Sequence, residues 1–205
     1  MGDPLLAELV CPDGPVADTV EEKRRNLLEG NAWEQTVVYV MEEVTGRLLA
    51  VATVCLDGHP NRRTLQPAYV RRIGGNPYVN LLVRDARLHN HVLLDGKTRL
   101  GTAALRGALE AVLRERPGRV GELPLVWGWV DRENAASLRA FATVAFRPAK
   151  KDALWQSPGA GLLAQAKHDI TVVRPAGKPL PPPPPLRAYL PLAASHLKSK
   201  QHPLA

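Results

Sequence analysis

Two neighbouring runs, QTVVYVMEEV (residues 35–44) and RLLAVATVCL (47–56), are rich in β-branched residues and are separated by Thr45-Gly46. Branched side chains suit a pleated surface and the dipeptide can turn the chain, so the pattern predicts an antiparallel hairpin. Both runs are apolar at odd and even positions. Both strands are therefore expected inside a sheet covered on two sides. The rest of the chain supplies the covering elements in alternation. DTVEEKRRNLLE (18–29) opens on a capping residue, carries acids early and bases late, and stops before Gly30, as a short helix does. YVNLLVRD (78–85) reads as a strand, and Leu105, Ala108, Leu109, Val112 and Leu113 recur at helical spacing before Pro117-Gly118 ends that run. LPLVWGWV (123–130) is the next strand, NAASLRAFATVAF (134–146) the next helix, and DALWQ (152–156) and HDITVVR (168–174) can close the sheet. The expected class is α/β, a mixed central sheet flanked by helices around one core, which 205 residues suffice to build. Trp127 and Trp129 are read as core and helix packing on opposite faces of their strand.

Residues 57–77 form a long polar connection with Arg62, Arg63, Arg71 and Arg72, and connections of that length are usually functional or without fixed structure. From Pro175 the composition changes to a run of five prolines and a basic end. The chain thus divides into a body, 1–174, and a proline-rich extension, 175–205, in which an extended polyproline spacer is expected. No acid follows Asp169, whereas Arg174, Lys178, Arg187, Lys198 and Lys200 supply five of the seven net positive charges. A basic balance favours anionic partners. Cys11 and Cys55 are too few for a disulfide framework and are not spaced as metal ligands. No apolar run reaches membrane-spanning length, and the first residues lack the pattern of a secretory signal, so a cytoplasmic protein without membrane contact is expected.

The most informative stretch is KTRLGTAALRGALE (97–110), where Arg, Gly and Thr stand directly ahead of a strong helical run. The first turn of a helix carries backbone N–H groups without intrahelical partners at the positive end of the macrodipole. With no side chain at Gly101, a pyrophosphate can approach the amides from Leu100 to Ala103, with Arg99 and Thr102 adding a charge and a hydroxyl. The competing reading is that Gly101 only lets the helix pack against a strand.

A second segment, WGWVDRENAASLRAFATVAFRP (127–148), resembles the strand and helix late in the GNAT acyltransferase superfamily through Val130, Asn134, Ser137, Leu138, Arg139, Phe141 and Phe146. RLGTAALRGALEA is similar to the family's glycine-rich loop and helix. The resemblance spans about residues 35–148. In one register Gly101 is the loop's last glycine, Arg99 takes the place of the earlier one and Gly96 that of its Gln/Arg. In the other, Gly101 is the earlier glycine, Ala103 the last, and Thr98 takes the Gln/Arg place. Phe141 stands where many members carry a tyrosine that protonates the leaving thiolate, and Ala145 replaces the glycine before Phe146.

The resemblance implies a splayed sheet and N-acyl transfer, in the first instance N-acetyl transfer, from acetyl-coenzyme A to an amine by direct attack. The residues it implies for the coenzyme are Leu82, Val83, Arg99, Leu100, Gly101, Thr102, Ala103, Asn134 and Ser137. A base is required because the attacking amine must be neutral. Asp85 and His91 are taken for that role from a set that includes Glu42, Glu43 and His89, and no metal is expected at the His89–Asn90–His91 triplet. The arginines of the 57–77 connection suggest an anionic acceptor. A role in acylating aminoacyl-tRNA or a nucleic-acid-associated protein, and a non-catalytic binding module, are the alternatives; a homodimer is a further candidate assembly.

Overall fold

The structure, a computed structural model, describes residues 4–10, 17–29, 35–42, 45–59, 61, 63, 68–88, 98–116, 122–149 and 169–180. Two helices open the chain, α1 (Pro4–Ala7) and α2 (Ala17–Leu28). The hairpin follows as β1 (Thr36–Met41) and β2 (Leu48–Cys55), then α3 (Ala68–Ile73) inside the long connection, and β3 (Tyr78–Arg84). The long helix α4 (Leu100–Glu115) leads to β4 (Val126–Asp131), α5 (Ala135–Thr143), the two-residue β5 (Arg147–Pro148) and β6 (Asp169–Arg174). The six strands form one sheet in the order β1-β2-β3-β4-β6-β5, antiparallel throughout except for the parallel pair β3/β4. A mixed sheet with helices on both faces is the arrangement expected.

Helix α4 packs across β1, β2 and β3 and against α5 on one face of the sheet. Leu105, Ala108, Leu109 and Val112, the residues whose spacing predicted that helix, are at most 1 % exposed and meet Ala50, Ala52, Val54 and Val126. Close approach to the hairpin depends on Gly107, where a Cβ would lie 2.7 Å from a Val38 methyl. On the other face Leu6 of α1, Leu9 just after it and Val20 of α2 pack with Val51, Leu81 and Val83. Strand β2 is buried almost throughout, but β1 is half-buried and forms the sheet edge. That departs from the expectation that both hairpin strands lie inside, because among the described residues no strand pairs with the outer side of β1.

The tryptophans also depart from their expected placement. Residues two apart on a strand share a face, and the rings of Trp127 and Trp129 meet edge-on with centroids 5.2 Å apart. They join Tyr78 and His59 in one aromatic cluster on the face opposite α4. His59 is held there by a tight return of the connection: its N–H donates to Gly74 O at 2.8 Å, and at Gly58 (φ +86°) a Cβ would collide with that same carbonyl. Cys55 is 2 % exposed beside this cluster, and burial, partly offset by the Lys23 charge, pushes its thiol up to about 11, as suits an inert core residue.

Of the expected extension, residues 175–180 are described, and they fold back on the body. The buried Arg174 guanidinium donates to Val144 O, Lys178 O and Pro179 O, and Leu180 packs against the main core. The run 181–205, DALWQ and Cys11 lie outside the described residues.

Helix α5 ends through Ala145, which adopts φ 68°, the left-handed region that an alanine Cβ disfavours. The glycine expected there by family resemblance is the residue that this geometry suits. Ala145→Gly should therefore stabilise the fold by roughly 0.5–1 kcal/mol. A higher urea midpoint at unchanged slope is the expected reading; a lower midpoint would show that no strain resides at this turn.

Candidate functional site

The site begins with a change of partner along β3. Strands β3 and β4 are in register only at Tyr78↔Trp127 and Val79↔Gly128, whereas β3 stays paired with β2 as far as Arg84. Between those two points the β2/β3 register shifts: Val54 opposes Val79 and Thr53 opposes Leu81, leaving Asn80 as an extra residue. Such a bulge bends its strand and increases the local twist. Here it coincides with the end of β3/β4 pairing, so the sheet splays and the β4-facing side of β3 beyond the bulge borders a gap.

A cavity of about 430 Å³ occupies the α4/α5 side of that gap. Strand β3 contributes Leu82, Val83 and Arg84, and the entry to α4 contributes Thr98, Arg99, Gly101 and Thr102. From α5 come Ala136, Ser137, Arg139, Ala140 and Thr143, which at intervals of three and four form one stripe along the helix. The small residues of that stripe keep the wall low.

The surroundings of Gly101 bear on the packing reading of its stretch. A Cβ built there meets nothing within 4 Å, so helix–strand packing does not require the glycine, unlike Gly107. The space beside it is the cavity itself. Arg99, the N-cap residue, makes no side-chain capping bond, and the Ala103 N–H donates to Arg99 O at 3.0 Å. The first-turn amides that face outward are thus those of Leu100, Gly101 and Thr102, while that of Ala103 is committed within the helix. Leu100 itself is 2 % exposed, with its side chain in the core.

Three arginines, Arg84, Arg99 and Arg139, border the cavity. Burial and then the charge of Arg99 disfavour the ionised form of Arg84, against which Asp85 acts in the opposite direction. Like charges have been gathered around one opening, and an anion between them would relieve the repulsion.

Of the expected coenzyme residues, Leu82, Val83, Arg99, Gly101, Thr102 and Ser137 line this single cavity; Leu100, Ala103 and Asn134 do not. Asn134 is the N-cap of α5, its Oδ1 accepting from the Ser137 N–H at 3.0 Å, so it sets the orientation of the helix that carries Ser137 and Arg139. Sequence reasoning missed Arg84, Thr98, Ala136, Arg139, Ala140 and Thr143 as wall residues. The helical stripe through Ala136, Ala140 and Thr143 was the legible signal for half of them.

The residues taken for a base fare differently. Asp85 is fully buried and is not part of the cavity wall. It accepts from Arg47 at 3.1 Å, from Arg87 Nη2 at 2.5 Å and from the Arg87 N–H at 2.9 Å. Burial by itself would raise its carboxyl, but the Arg87 and Arg47 hydrogen bonds prevail and hold it below the usual carboxylate range. A general base near neutrality needs the opposite environment. The cluster instead ties the end of β3 to the N-terminal segment, since Arg87 also donates to Glu8 O and the Ala86 N–H to Val10 O. Asp85→Asn should accordingly cost about 2 kcal/mol of stability, measured by urea unfolding; a variant as stable as the parent would remove Asp85 from this anchoring role. Glu42 belongs to the hairpin turn, accepting from Thr45 Oγ1 and from the Gly46 N–H. Glu43, His89 and His91 lie outside the described residues, as does Arg62; Arg63, Arg71 and Arg72 are exposed. Among the described residues no group of three metal-ligating side chains occurs and no helix is long and apolar enough to cross a membrane.

No family model and no curated protein sequence matches the chain. Solved structures do resemble it. A putative GnaT-family acetyltransferase from Bordetella pertussis is 16% identical over 82% of this chain and 86% of its own, with a TM-score of 0.48. The ribosomal-protein-S18-alanine N-acetyltransferase from Escherichia coli is 14% identical over 80% and 88%, at 0.45. The mosquito arylalkylamine N-acetyltransferase like 5b is 13% identical over 84% and 87%, also at 0.45.

Proposed function

We propose that the chain is an acyl-coenzyme A-dependent N-acyltransferase whose cavity receives the coenzyme. The observation that carries this reading is Gly101: bare of side chain at a helix start whose N-cap residue Arg99 makes no capping bond, and open to a cavity bordered by three arginines, in the gap of a splayed sheet. A diphosphate fits that donor set, since the Leu100–Thr102 amides, the helix dipole and the guanidinium groups all favour anionic oxygens. Acetyl-coenzyme A is the proposed donor, and its contribution when bound is a thioester carbonyl open to attack.

The remaining work falls to the protein. The β4-facing backbone of β3 at Leu82 and Val83 offers strand-type hydrogen bonds to an extended amide chain and an N–H to the carbonyl oxygen as it gains charge. Attack by an amine nitrogen forms the C–N bond as the C–S bond breaks. The nitrogen gives up a proton and the sulfur takes one. Phe141 is 3 % exposed, stacked edge-on against Phe146 at 4.8 Å and without an acidic proton, so the sulfur draws on solvent or on a hydroxyl of the wall. Asp85 and Asn134 are assigned to positioning in this reading rather than to contact with the reactants.

Thermal unfolding with and without coenzyme A tests the reading, because a ligand selective for the folded state must raise the midpoint. A concentration-dependent rise, followed by thiol release when primary amines are screened with acetyl-coenzyme A, is expected. No rise at millimolar coenzyme A would refute it. A rise without thiol release from any amine would favour a binding module, a reading to which the phenylalanine at position 141 lends weight.

A further inference from the structure

The last residue of β6 is a buried cation held by carbonyl groups. Arg174 is 0 % exposed, and among the described residues no carboxylate pairs with it, so burial disfavours its charged form. Its Nε donates to Val144 O at 3.0 Å, and its Nη2 to Lys178 O at 2.7 Å and Pro179 O at 2.8 Å. These acceptors come from two separate elements. Val144 is the C-cap of α5, where the final carbonyls of a helix lack intrahelical partners and form the negative end of its dipole. Lys178 and Pro179 belong to the segment after β6. That segment has a seat of its own, since the Gly177 N–H donates to Leu123 O at 3.0 Å and Leu180 packs against the main core. Position 177 suits a glycine: its φ is +71°, and a Cβ there would lie 3.3 Å from a Glu122 carboxylate oxygen.

We infer that residues 175–180 form a strap which, with Arg174 as its pin, holds α5 where it lines the coenzyme cavity, so that strap docking and coenzyme binding support one another. The inference rests on the acyltransferase reading and makes Arg174 a positioning residue, since it is not part of the cavity wall. Helix α5 gives that wall Ala136, Ser137, Arg139, Ala140 and Thr143. Asn134 fixes the start of the helix and Arg174 its end. Loss of the strap removes two of the three carbonyls around the guanidinium, and a buried charge deprived of its partners is strongly unfavourable. The side chain then turns towards water and releases Val144 O. A helix freed at one end no longer holds its whole stripe against the cavity. Coupling of this kind is reciprocal, so coenzyme bound against α5 must in turn tighten the strap.

The test uses the full ¹⁵N-labelled chain with and without coenzyme A, and two variants that undo the strap from opposite sides. Arg174→Met removes the pin and keeps its apolar bulk; Gly177→Val disturbs the seat and leaves the arginine intact. In both, the Ser137 and Thr143 amides should shift before any coenzyme is added, and affinity for coenzyme A should fall about tenfold. In the parent, coenzyme A should slow hydrogen exchange of the Gly177 N–H by about the same factor. A merely structural arginine would lower the thermal midpoint and leave Gly177 exchange indifferent to the coenzyme. The inference is overturned by that indifference, by unshifted Ser137 and Thr143 amides, or by parental affinity in a folded variant. Should Arg174→Met fail to fold, Gly177→Val decides alone. The Gly101 and Thr102 amides report coenzyme binding independently. Their silence in the parent means that the coenzyme reading itself has failed, whereas their response with Gly177 exchange unchanged overturns the strap alone.

Discussion

Gly101→Glu is expected to make the protein more stable and unable to bind coenzyme A. Position 101 is the second residue of α4, where its missing side chain faces open space. Glutamate is a better helix former than glycine by about 0.5–1 kcal/mol, and its charge at a helix start adds about 0.3–1 kcal/mol. Together these correspond to a rise of roughly 2–8 °C in thermal midpoint for a domain of this size. The same carboxylate would lie among the Leu100–Thr102 amides and beside Arg84 and Arg99, where it mimics and excludes the diphosphate. Affinity for coenzyme A should fall by at least about 100-fold, the worth of two or more charge-assisted hydrogen bonds. Isothermal titration paired with thermal unfolding reads both effects. A variant that binds as well as the parent means the diphosphate does not sit there; a variant that loses binding only because it unfolds leaves the helix start without the assigned exposure, and Gly101→Ala, expected to fold as the parent does and to bind more weakly than the parent but more tightly than the glutamate variant, then separates the cases.

The second large effect is acid sensitivity centred on His59. This residue is 7 % exposed within the Tyr78, Trp127 and Trp129 cluster, and its Nδ1 accepts from the Asn61 N–H. Burial first, and the Lys23 charge second, lower it from 6.5 to about 4. Below its unfolded value the unfolded chain binds a proton that the folded chain refuses, so stability is whole above pH about 6.5 and declines as pH falls towards about 4. The full loss approaches about 3 kcal/mol. Urea unfolding between pH 7 and 4.5 should show this slope in the parent and a flatter one in His59→Phe. An equal slope in the two would move the acid sensitivity elsewhere. Asp85 contributes in a lower window, because its depressed carboxyl supports the fold above the unfolded value near 3.8 and ceases to as pH falls further.

Periodicity and local chemistry made the scaffold legible. The apolar spacing of α4 and the alternation of strand and helix identified every long element within a few residues, since each buries a stripe or face that the sequence must encode. The short elements were not visible: α1, α3 and β5 have too few residues for a period to register. The expectation of two interior hairpin strands failed at β1, whose partner-free edge is a matter of strand order rather than of its own residues. The tryptophan faces were misassigned although the twofold period of a strand already places residues 127 and 129 together.

The candidate site divides in the same way. A glycine at the start of a strong helix, an arginine before it and a stripe of small residues on α5 are features of the chain alone, and they determined what chemistry the site can host. The sheet decided where that chemistry converges. The bulge at Asn80 and the early end of β3/β4 pairing cannot be read from the strand, because register is set by the neighbours on either side. Packing of α4 on the sheet brought Arg84 and Arg99 to one cavity, and the Arg47 and Arg87 contacts reserved Asp85 for an ion-pair anchor. Residue identity fixed the available donors and acceptors; only packing in three dimensions determined which of them remained for a ligand.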